Sequence, residues 1–125
     1  MFDLIRHIAI IGKDYQKSRS FYVDTLGFEV IREEKRPHKN DYLIVLKCGM
    51  QEIELFIKPD APNRISYPEA AGLRHLAFKV ENVDETVKLL NNKGIETEPI
   101  RLDELTNKKM TFFSDPDGLP LEIHE

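Results

Sequence analysis

Two short stretches of the sequence repeat the pattern Arg-His-(Ile/Leu)-Ala within apolar surroundings, LIRHIAII near the start and GLRHLAFKV past the middle. The second histidine, His75, follows His7 by 68 residues. Two glutamates, Glu54 in EIELF and Glu122 in PLEIHE, are separated by the same 68 residues. A constant offset between matched residues is typical of an internal repeat. The chain is therefore predicted to fold as two copies of one module.

Each module is predicted to contain a strand, a helix and three further strands. In the first, Asp14 is the expected N-cap of the helix and Gly27 its C-terminal stop; in the second, these positions fall to Asp84 and Gly94. The later strands are expected in FEVIREE, DYLIVLKC and EIELFIK, and in IETEPIRL, KKMTFFS and PLEIHE. The predicted fold class is α+β, with two βαβββ modules forming an eight-stranded curved mixed sheet and helices on its outer face.

The whole chain, residues 1–125, is expected to be one domain, since its length suits a single compact core. Module 1 is predicted over about residues 1–58 and module 2 over about residues 73–125. The segment 59–72 between them holds three prolines, which disfavour regular structure, and it is predicted to be a linker.

Composition argues against several functional classes. The formal net charge of −4 disfavours nonspecific nucleic-acid binding, and the apolar runs are far shorter than the roughly 20 residues that span a bilayer. The single cysteine, Cys48, allows neither an internal disulfide nor a zinc site built from cysteines. The N-terminal stretch MFDLIRH has no secretory-signal pattern, so cytoplasmic residence is expected.

The matched histidines and glutamates are expected to share one face of the sheet. Strand side chains alternate between faces, which places Glu54 and Glu122 opposite their apolar neighbours, and His7 and His75 likewise. Any one of these residues alone would more often be structural, but the matched spacing favours a joint role. Two imidazoles and two carboxylates suit one divalent metal ion, and they leave two octahedral positions for substrate oxygens.

Residues next to these four carry further expectations. Arg6 and Arg74 precede the histidines, so alternation places them on the helix-covered side, paired with a helix carboxylate or a backbone group. His124 lies two positions after Glu122, on the same strand face, which leaves a role in the pocket open. Phe112 is either a core residue or part of the pocket wall.

The stretches RHIAIIGKDYQKSRSFYVDTLGF, IELF, LRHLAF and FFSDPDGLPLEIHE resemble the vicinal oxygen chelate superfamily (glyoxalase I, bleomycin resistance, dioxygenase), and its YaeR-like branch in particular. The likeness runs along essentially the whole chain. It implies a lactoylglutathione lyase-like enzyme that isomerises 2-oxoaldehyde–thiol hemithioacetals to 2-hydroxyacyl thioesters through a metal-stabilised enediolate. It also implies the metal ligands His7, Glu54, His75 and Glu122, with Glu122 as the catalytic base and Glu54 as its catalytic counterpart.

The resemblance further implies a Ni²⁺ or Co²⁺ cofactor, with Zn²⁺ or Mn²⁺ as alternatives, and a homodimer acting on a small molecule such as a methylglyoxal adduct, without nucleic-acid or membrane partners. Ile11 stands where bacterial glyoxalase I carries an arginine for glutathione, so the thiol stays open. Whether the site lies within one chain or across a dimer also stays open. The alternatives are another metal-dependent enzyme of the superfamily, an epimerase or a dioxygenase, and a non-catalytic binding protein. Glu54 disfavours the dioxygenases, which use two histidines and one glutamate.

Overall fold

The computed structural model describes all 125 residues and contains two compact units, Met1–Asn63 and Arg64–Glu125. Each unit contains a strand, a helix and three further strands in that order, which confirms the two βαβββ modules. The predicted linker is divided by the boundary, with its first residues in unit 1 and the rest in unit 2. No helix has the length and apolar character needed to cross a membrane.

Unit 1 forms a four-stranded sheet in the order β1-β4-β3-β2, in which β1 and β4 are parallel and the other pairs antiparallel. Its strands are β1 (His7–Gly12), β2 (Glu29–Arg36), β3 (Asp41–Cys48) and β4 (Gln51–Ile57). Helix α1 (Tyr15–Arg19) continues as a π-helical segment, Ser20–Thr25, and a 3-10 turn, Pro37–Lys39, precedes β3.

The first helical segment begins and ends where the sequence predicts. The Asp14 side chain accepts a hydrogen bond from the backbone N–H of Lys17 at 2.9 Å, which confirms it as the N-cap. The π-helical continuation buries Phe21 and Tyr22. Gly27 follows at φ +79°, a left-handed conformation that glycine adopts without a steric cost.

Unit 2 repeats the arrangement, with strand order β5-β8-β7-β6 and a parallel β5–β8 pair. Its elements are β5 (Leu76–Lys79), α2 (Val83–Asn92), β6 (Arg101–Leu102), β7 (Lys109–Ser114) and β8 (Pro120–His124). The equivalent order of strands in both sheets agrees with the repeat seen in the sequence.

The eight predicted strands are present, but they form two four-stranded sheets rather than one hydrogen-bonded sheet of eight. Every strand pairs only with strands of its own unit. The strand expected in IETEPIRL is reduced to Arg101–Leu102. Pro99 interrupts this stretch because it has no N–H to donate, and before it Glu98 donates one backbone hydrogen bond to Phe112 at 2.8 Å.

The predicted N-cap of the second helix was wrong. Asn82, in an extended conformation, caps α2 by accepting a hydrogen bond from the N–H of Glu85 at 3.0 Å. Asp84 lies inside the first turn and forms an ion pair with Lys109 at 2.5 Å. Gly94 follows the helix at φ +83°, as expected for its C-terminal stop.

The strands next to β1 and β5 each hold a glutamate between buried apolar residues. In β4 the side chains of Ile53, Leu55 and Ile57 are buried, while Glu54 between them remains partly exposed. In β8 both neighbours of Glu122 are buried in the apolar core, and Glu122 itself is only 7% exposed. The apolar side chains thus fix which way each glutamate points.

Candidate metal centre

Unit 1 brings its histidine and glutamate together across the parallel β1–β4 pair. The register places Ala9 opposite Glu54, and His7 lies two residues before Ala9 on the same face of β1. His7 Nε2 is 3.5 Å from Glu54 Oε1. Both side chains retain some contact with solvent, with 35% and 21% of their surfaces exposed.

Unit 2 brings together the equivalent pair across β5 and β8. Ala77 pairs with Glu122, and His75 immediately precedes β5. His75 Nε2 is 2.9 Å from Glu122 Oε2. This pair is less exposed than the first, with 25% of the histidine side chain and 9% of the glutamate side chain open to solvent.

The two pairs fit adjacent positions on a divalent metal ion. Ligand atoms about 2.1 Å from a metal lie about 3.0 Å apart at a right angle and about 3.4 Å apart at the tetrahedral angle. The observed separations of 2.9 and 3.5 Å agree with these values. No group of three or more His, Cys, Asp or Glu side chains suited to a metal ion occurs in the chain. Each unit thus supplies two candidate donors, and the union of all four at one ion stays a prediction.

The arginines before the two histidines do not lie where the sequence predicts. An N–H of Arg6 donates to His7 Nδ1 at 2.9 Å, and an N–H of Arg74 donates to His75 Nδ1 at 3.2 Å. Alternation fails here because both arginines precede the first residue of their strand. Each guanidinium contacts the ring nitrogen opposite the one facing the glutamate, so it helps orient the imidazole. The arginines share the repeat offset with the histidines, a signal that was available in the sequence.

Unit 2 also contains a cavity of about 740 Å³ whose wall includes His75. This volume is in the range of small-molecule sites. Phe112 lies on the cavity wall, with its ring edge-on to His75 at 5.1 Å between centroids, and the guanidinium carbon of Arg101 is 5.4 Å from the Phe112 centroid. Phe112 is therefore part of a pocket wall, which settles the alternative that the sequence left open.

The two units differ at the residue opposite the glutamate. Val45 of β3 pairs with Glu54, whereas Phe112 of β7 pairs with Glu122. The aromatic ring that contacts His75 therefore has an aliphatic counterpart in unit 1. The repeat conserves the candidate donor atoms but changes the wall beside them.

His124 does not join the His75–Glu122 pair. Its Nε2 lies 2.9 Å from Asp103 Oδ2, and its Nδ1 lies 2.6 Å from the carbonyl of Glu125. The hydrogen bond to Asp103 raises the pKa of His124 and lowers that of the Asp103 carboxyl. These contacts tie β8 to the loop between β6 and β7, a structural role.

Two cavity arginines, Arg64 and Arg101, were missed by the sequence reasoning. Both lie on the wall of the cavity in unit 2. Neither belongs to a repeated motif, and Arg64 falls within the predicted linker, so no pattern in the sequence marked them.

Comparison with known proteins identifies the family of the chain. The family model described as Glyoxalase/Bleomycin resistance protein/Dioxygenase superfamily matches residues 4–123. The uncharacterized protein YwkD of Bacillus subtilis is 57% identical over 122 residues, which cover 97% of this chain and 95% of YwkD. The uncharacterized protein YaeR of Escherichia coli is 49% identical, with the same two coverages. The crystal structure of a glyoxalase family protein from Enterococcus faecalis is 60% identical, with a TM-score of 0.96, and covers 99% of this chain and 98% of its own.

More distant relatives include named enzymes. Metallothiol transferase FosB of Staphylococcus saprophyticus is 30% identical over 99% of this chain and 78% of its own. Lactoylglutathione lyase from Agrobacterium tumefaciens is 25% identical over 98% of this chain and 92% of its own, with a TM-score of 0.72. Bovine mitochondrial methylmalonyl-CoA epimerase is 27% identical over 73% of this chain and 54% of its own. The repeated His–Glu modules, their fold and these matches together show that the chain belongs to the glyoxalase/bleomycin resistance/dioxygenase superfamily.

Proposed function

We propose that the chain is a metal-dependent lyase of the glyoxalase I type, which isomerises 2-oxoaldehyde–thiol hemithioacetals to 2-hydroxyacyl thioesters. A hemithioacetal of methylglyoxal is the proposed substrate, which would make the enzyme part of methylglyoxal detoxification. The similarity to lactoylglutathione lyase from Agrobacterium tumefaciens supports this reaction type.

The observation that carries the proposal is the pair of matched His–Glu contacts, with donor atoms 3.5 Å apart in unit 1 and 2.9 Å apart in unit 2. We assign His7, Glu54, His75 and Glu122 as ligands of one divalent ion. Ni²⁺ or Co²⁺ is favoured by the family resemblance, and Zn²⁺ or Mn²⁺ would also suit imidazole and carboxylate donors. When bound, the ion would stabilise negative charge on the two adjacent oxygens of the substrate.

Glu122 is the proposed catalytic base, which moves a proton from C1 to C2 of the hemithioacetal. It is the less exposed of the two glutamates, and Phe112 lies opposite it on the neighbouring strand. A carboxylate held within reach of the substrate can accept a carbon-bound proton. Glu54 is the proposed counterpart that receives or returns the proton on the other side of the substrate.

The proposal includes a homodimer in the cytoplasm. A single cysteine is compatible with a reducing compartment, and most oligomers of small enzymes are symmetric dimers. Light scattering coupled to gel filtration would measure the mass in solution, and a mass of one chain would overturn this part of the proposal.

The reaction can be tested on protein stripped of metal and reloaded separately with nickel, cobalt, manganese or zinc. Thioester formation from methylglyoxal is followed with glutathione and with other small thiols, because Ile11 leaves the thiol open. Turnover is expected only with metal present. A protein that binds metal but turns over no thiol adduct would contradict the proposal.

Glu122→Gln and Glu54→Gln form a matched pair of variants that differ only in the unit affected. Loss of a general base lowers kcat by about 10²–10⁴-fold, and this loss is expected for Glu122→Gln with most of the metal retained. Metal content measured beside activity separates the two roles. Equal loss of metal in both variants would contradict the assignment of Glu122 as the base.

An epimerase acting at the same site is the second candidate, favoured by the similarity to methylmalonyl-CoA epimerase. It would use the same proton transfer at a carbon next to a carbonyl. Exchange of the substrate α-proton with deuterated solvent, measured on an acyl-CoA thioester, distinguishes it from the lyase.

A further inference from the structure

Arg64, the first residue of unit 2, is held beside the candidate metal ligand His75. Its NH2 group donates hydrogen bonds to the backbone carbonyls of Leu73 at 3.1 Å and Arg74 at 2.9 Å. The Arg74 carbonyl belongs to the peptide group that leads into His75. The guanidinium of Arg64 is therefore anchored one peptide away from the proposed reaction centre.

Arg64 has N–H donors that no acceptor within the chain uses. A guanidinium carries five N–H groups, and two backbone carbonyls engage only its NH2 nitrogen. The Nε and NH1 groups donate to no acceptor within the chain, and Arg64 forms no ion pair. Three N–H donors thus remain available on a residue that lines the cavity, while its charge also acts on the nearby Glu69 carboxylate.

The other two arginines of the cavity each form an ion pair with a glutamate. Arg74 pairs with both carboxylate oxygens of Glu69 at 3.1 Å, and Arg101 pairs with Glu98 at 2.9 Å. Of the three arginines on this wall, Arg64 alone has no carboxylate partner. The wall also carries the carboxylates Glu69, Glu96 and Glu98, so the suitability of the cavity for an anionic group depends on the unused N–H donors of Arg64 and not on a net positive charge.

We propose that Arg64 binds an oxyanion, a carboxylate or phosphate group, on the part of the substrate that does not react. The proposal rests on the function proposed above for placing the reacting oxygens at His75 and Glu122. It goes further in stating that the small molecule that fills this cavity carries an anionic group, and that Arg64 is the contact that determines specificity for this group. Guanidinium N–H groups form charge-assisted hydrogen bonds to such oxygens, and Phe112 and Tyr67 supply apolar wall for the rest of the molecule.

The first test measures anion binding on the metal-free protein, without turnover. Inorganic phosphate and acetate are titrated separately, and the Nε–Hε resonance of Arg64 is followed by NMR. Saturable binding that shifts this resonance is expected for at least one probe, and the stronger one tells a phosphate site from a carboxylate site. Binding of neither probe, or binding that leaves the Arg64 resonance unmoved, would overturn the proposal.

Matched variants distinguish a specific contact from general attraction. Arg64→Gln is expected to weaken oxyanion binding about 10–100-fold, the usual effect of losing a charge-assisted hydrogen bond. Arg101→Gln removes the same charge from the same cavity and is expected to change binding less than about 3-fold, because Arg101 is already paired with Glu98. Arg64→Lys keeps the charge but not the planar set of N–H donors, so it should retain the affinity only in part, between those of the native chain and Arg64→Gln. Equal weakening in Arg64→Gln and Arg101→Gln would overturn the assignment to Arg64.

The second test uses the loaded enzyme and separates the two proposals. With a carboxylate-bearing thiol adduct, Arg64→Gln is expected to raise KM about 10–100-fold; with the adduct of uncharged 2-mercaptoethanol, the rise in KM should be at least about 10-fold smaller, and any change common to both adducts reports the lost hydrogen bonds to Leu73 and Arg74. Enzyme without turnover but with Arg64-dependent oxyanion binding would contradict only the lyase. Turnover with no dependence on Arg64 or on the charge of the thiol would contradict only the oxyanion site.

Discussion

Thr111 of β7 is fully buried and joins the irregular segment before β6 to the sheet of unit 2. Its hydroxyl donates a hydrogen bond to the carbonyl of Glu98 at 2.7 Å, while the N–H of Glu98 donates to the carbonyl of Phe112 at 2.8 Å. The segment held in this way lines the cavity. Replacing Thr111 by valine keeps the shape of the side chain and removes only the donor, so it isolates this hydrogen bond.

The expected change in stability follows from the carbonyl group that the substitution leaves without a donor. A buried carbonyl without its donor costs about 1–3 kcal/mol, and the added buried methyl group returns about 0.8 kcal/mol. Thr111→Val is therefore expected to lower the free energy of unfolding by about 0.2–2 kcal/mol, which corresponds to a fall in Tm of about 1–8 °C for a chain of this size.

Thermal unfolding followed by circular dichroism measures the loss, and hydrogen exchange at the Glu98 amide locates it. Thr111→Ser is the matched control, because it keeps the hydroxyl and removes the methyl group. We expect faster exchange at Glu98 in the valine variant and near-native exchange in the serine variant. A valine variant as stable as the native chain, with unchanged exchange, would refute this account of the segment.

Two further substitutions test unit 1. The hydroxyl of Ser18 is buried without a hydrogen-bond partner, so Ser18→Ala is expected to leave stability unchanged or to raise it by up to about 1 kcal/mol, measured by urea unfolding; a clear loss would mean that the hydroxyl is satisfied after all. Hydrogen bonds from Arg36 and Lys58 lower the pKa of the buried Asp41 carboxyl from 3.8 to about 2. The stability that this ionised group contributes is present above its unfolded-state pKa and is lost as the pH falls from about 4 to about 2. Asp41→Asn should flatten the acid side of the stability curve over that range, and an unchanged slope would contradict the assignment.

The sequence was sufficient for the features that repeat. The common offset of His7–His75 and Glu54–Glu122 predicted two modules, each with one histidine and one glutamate at equivalent positions, and strand alternation predicted which way the glutamates point. These predictions succeed because side-chain direction in a regular strand depends on register alone.

Prediction from the sequence failed for side chains that lie outside regular strands. Arg6 and Arg74 precede their strands, so alternation could not show that they contact the histidine rings. The position of Arg64 depends on how an irregular segment returns to the carbonyls of Leu73 and Arg74, which no local pattern encodes. The choice of Asn82 over Asp84 as N-cap was decided by where the backbone becomes helical, a boundary that two adjacent capping residues leave ambiguous.

The parallel pairing of β1 with β4 and of β5 with β8 has a consequence for how such a protein can evolve. Each ladder brings together one candidate His–Glu pair, and neither pair requires a side chain from the other unit. If one unit of the chain were replaced by the same unit of a second copy of the chain, the set of candidate donor atoms would be unchanged. A substitution beside one His–Glu pair can therefore change which small molecule is recognised and leave the candidate donors in place. Phe112 opposite Glu122, where Val45 lies opposite Glu54, is an example. In a duplicated fold of this kind, the candidate donor residues and the residues that determine specificity can change independently of each other.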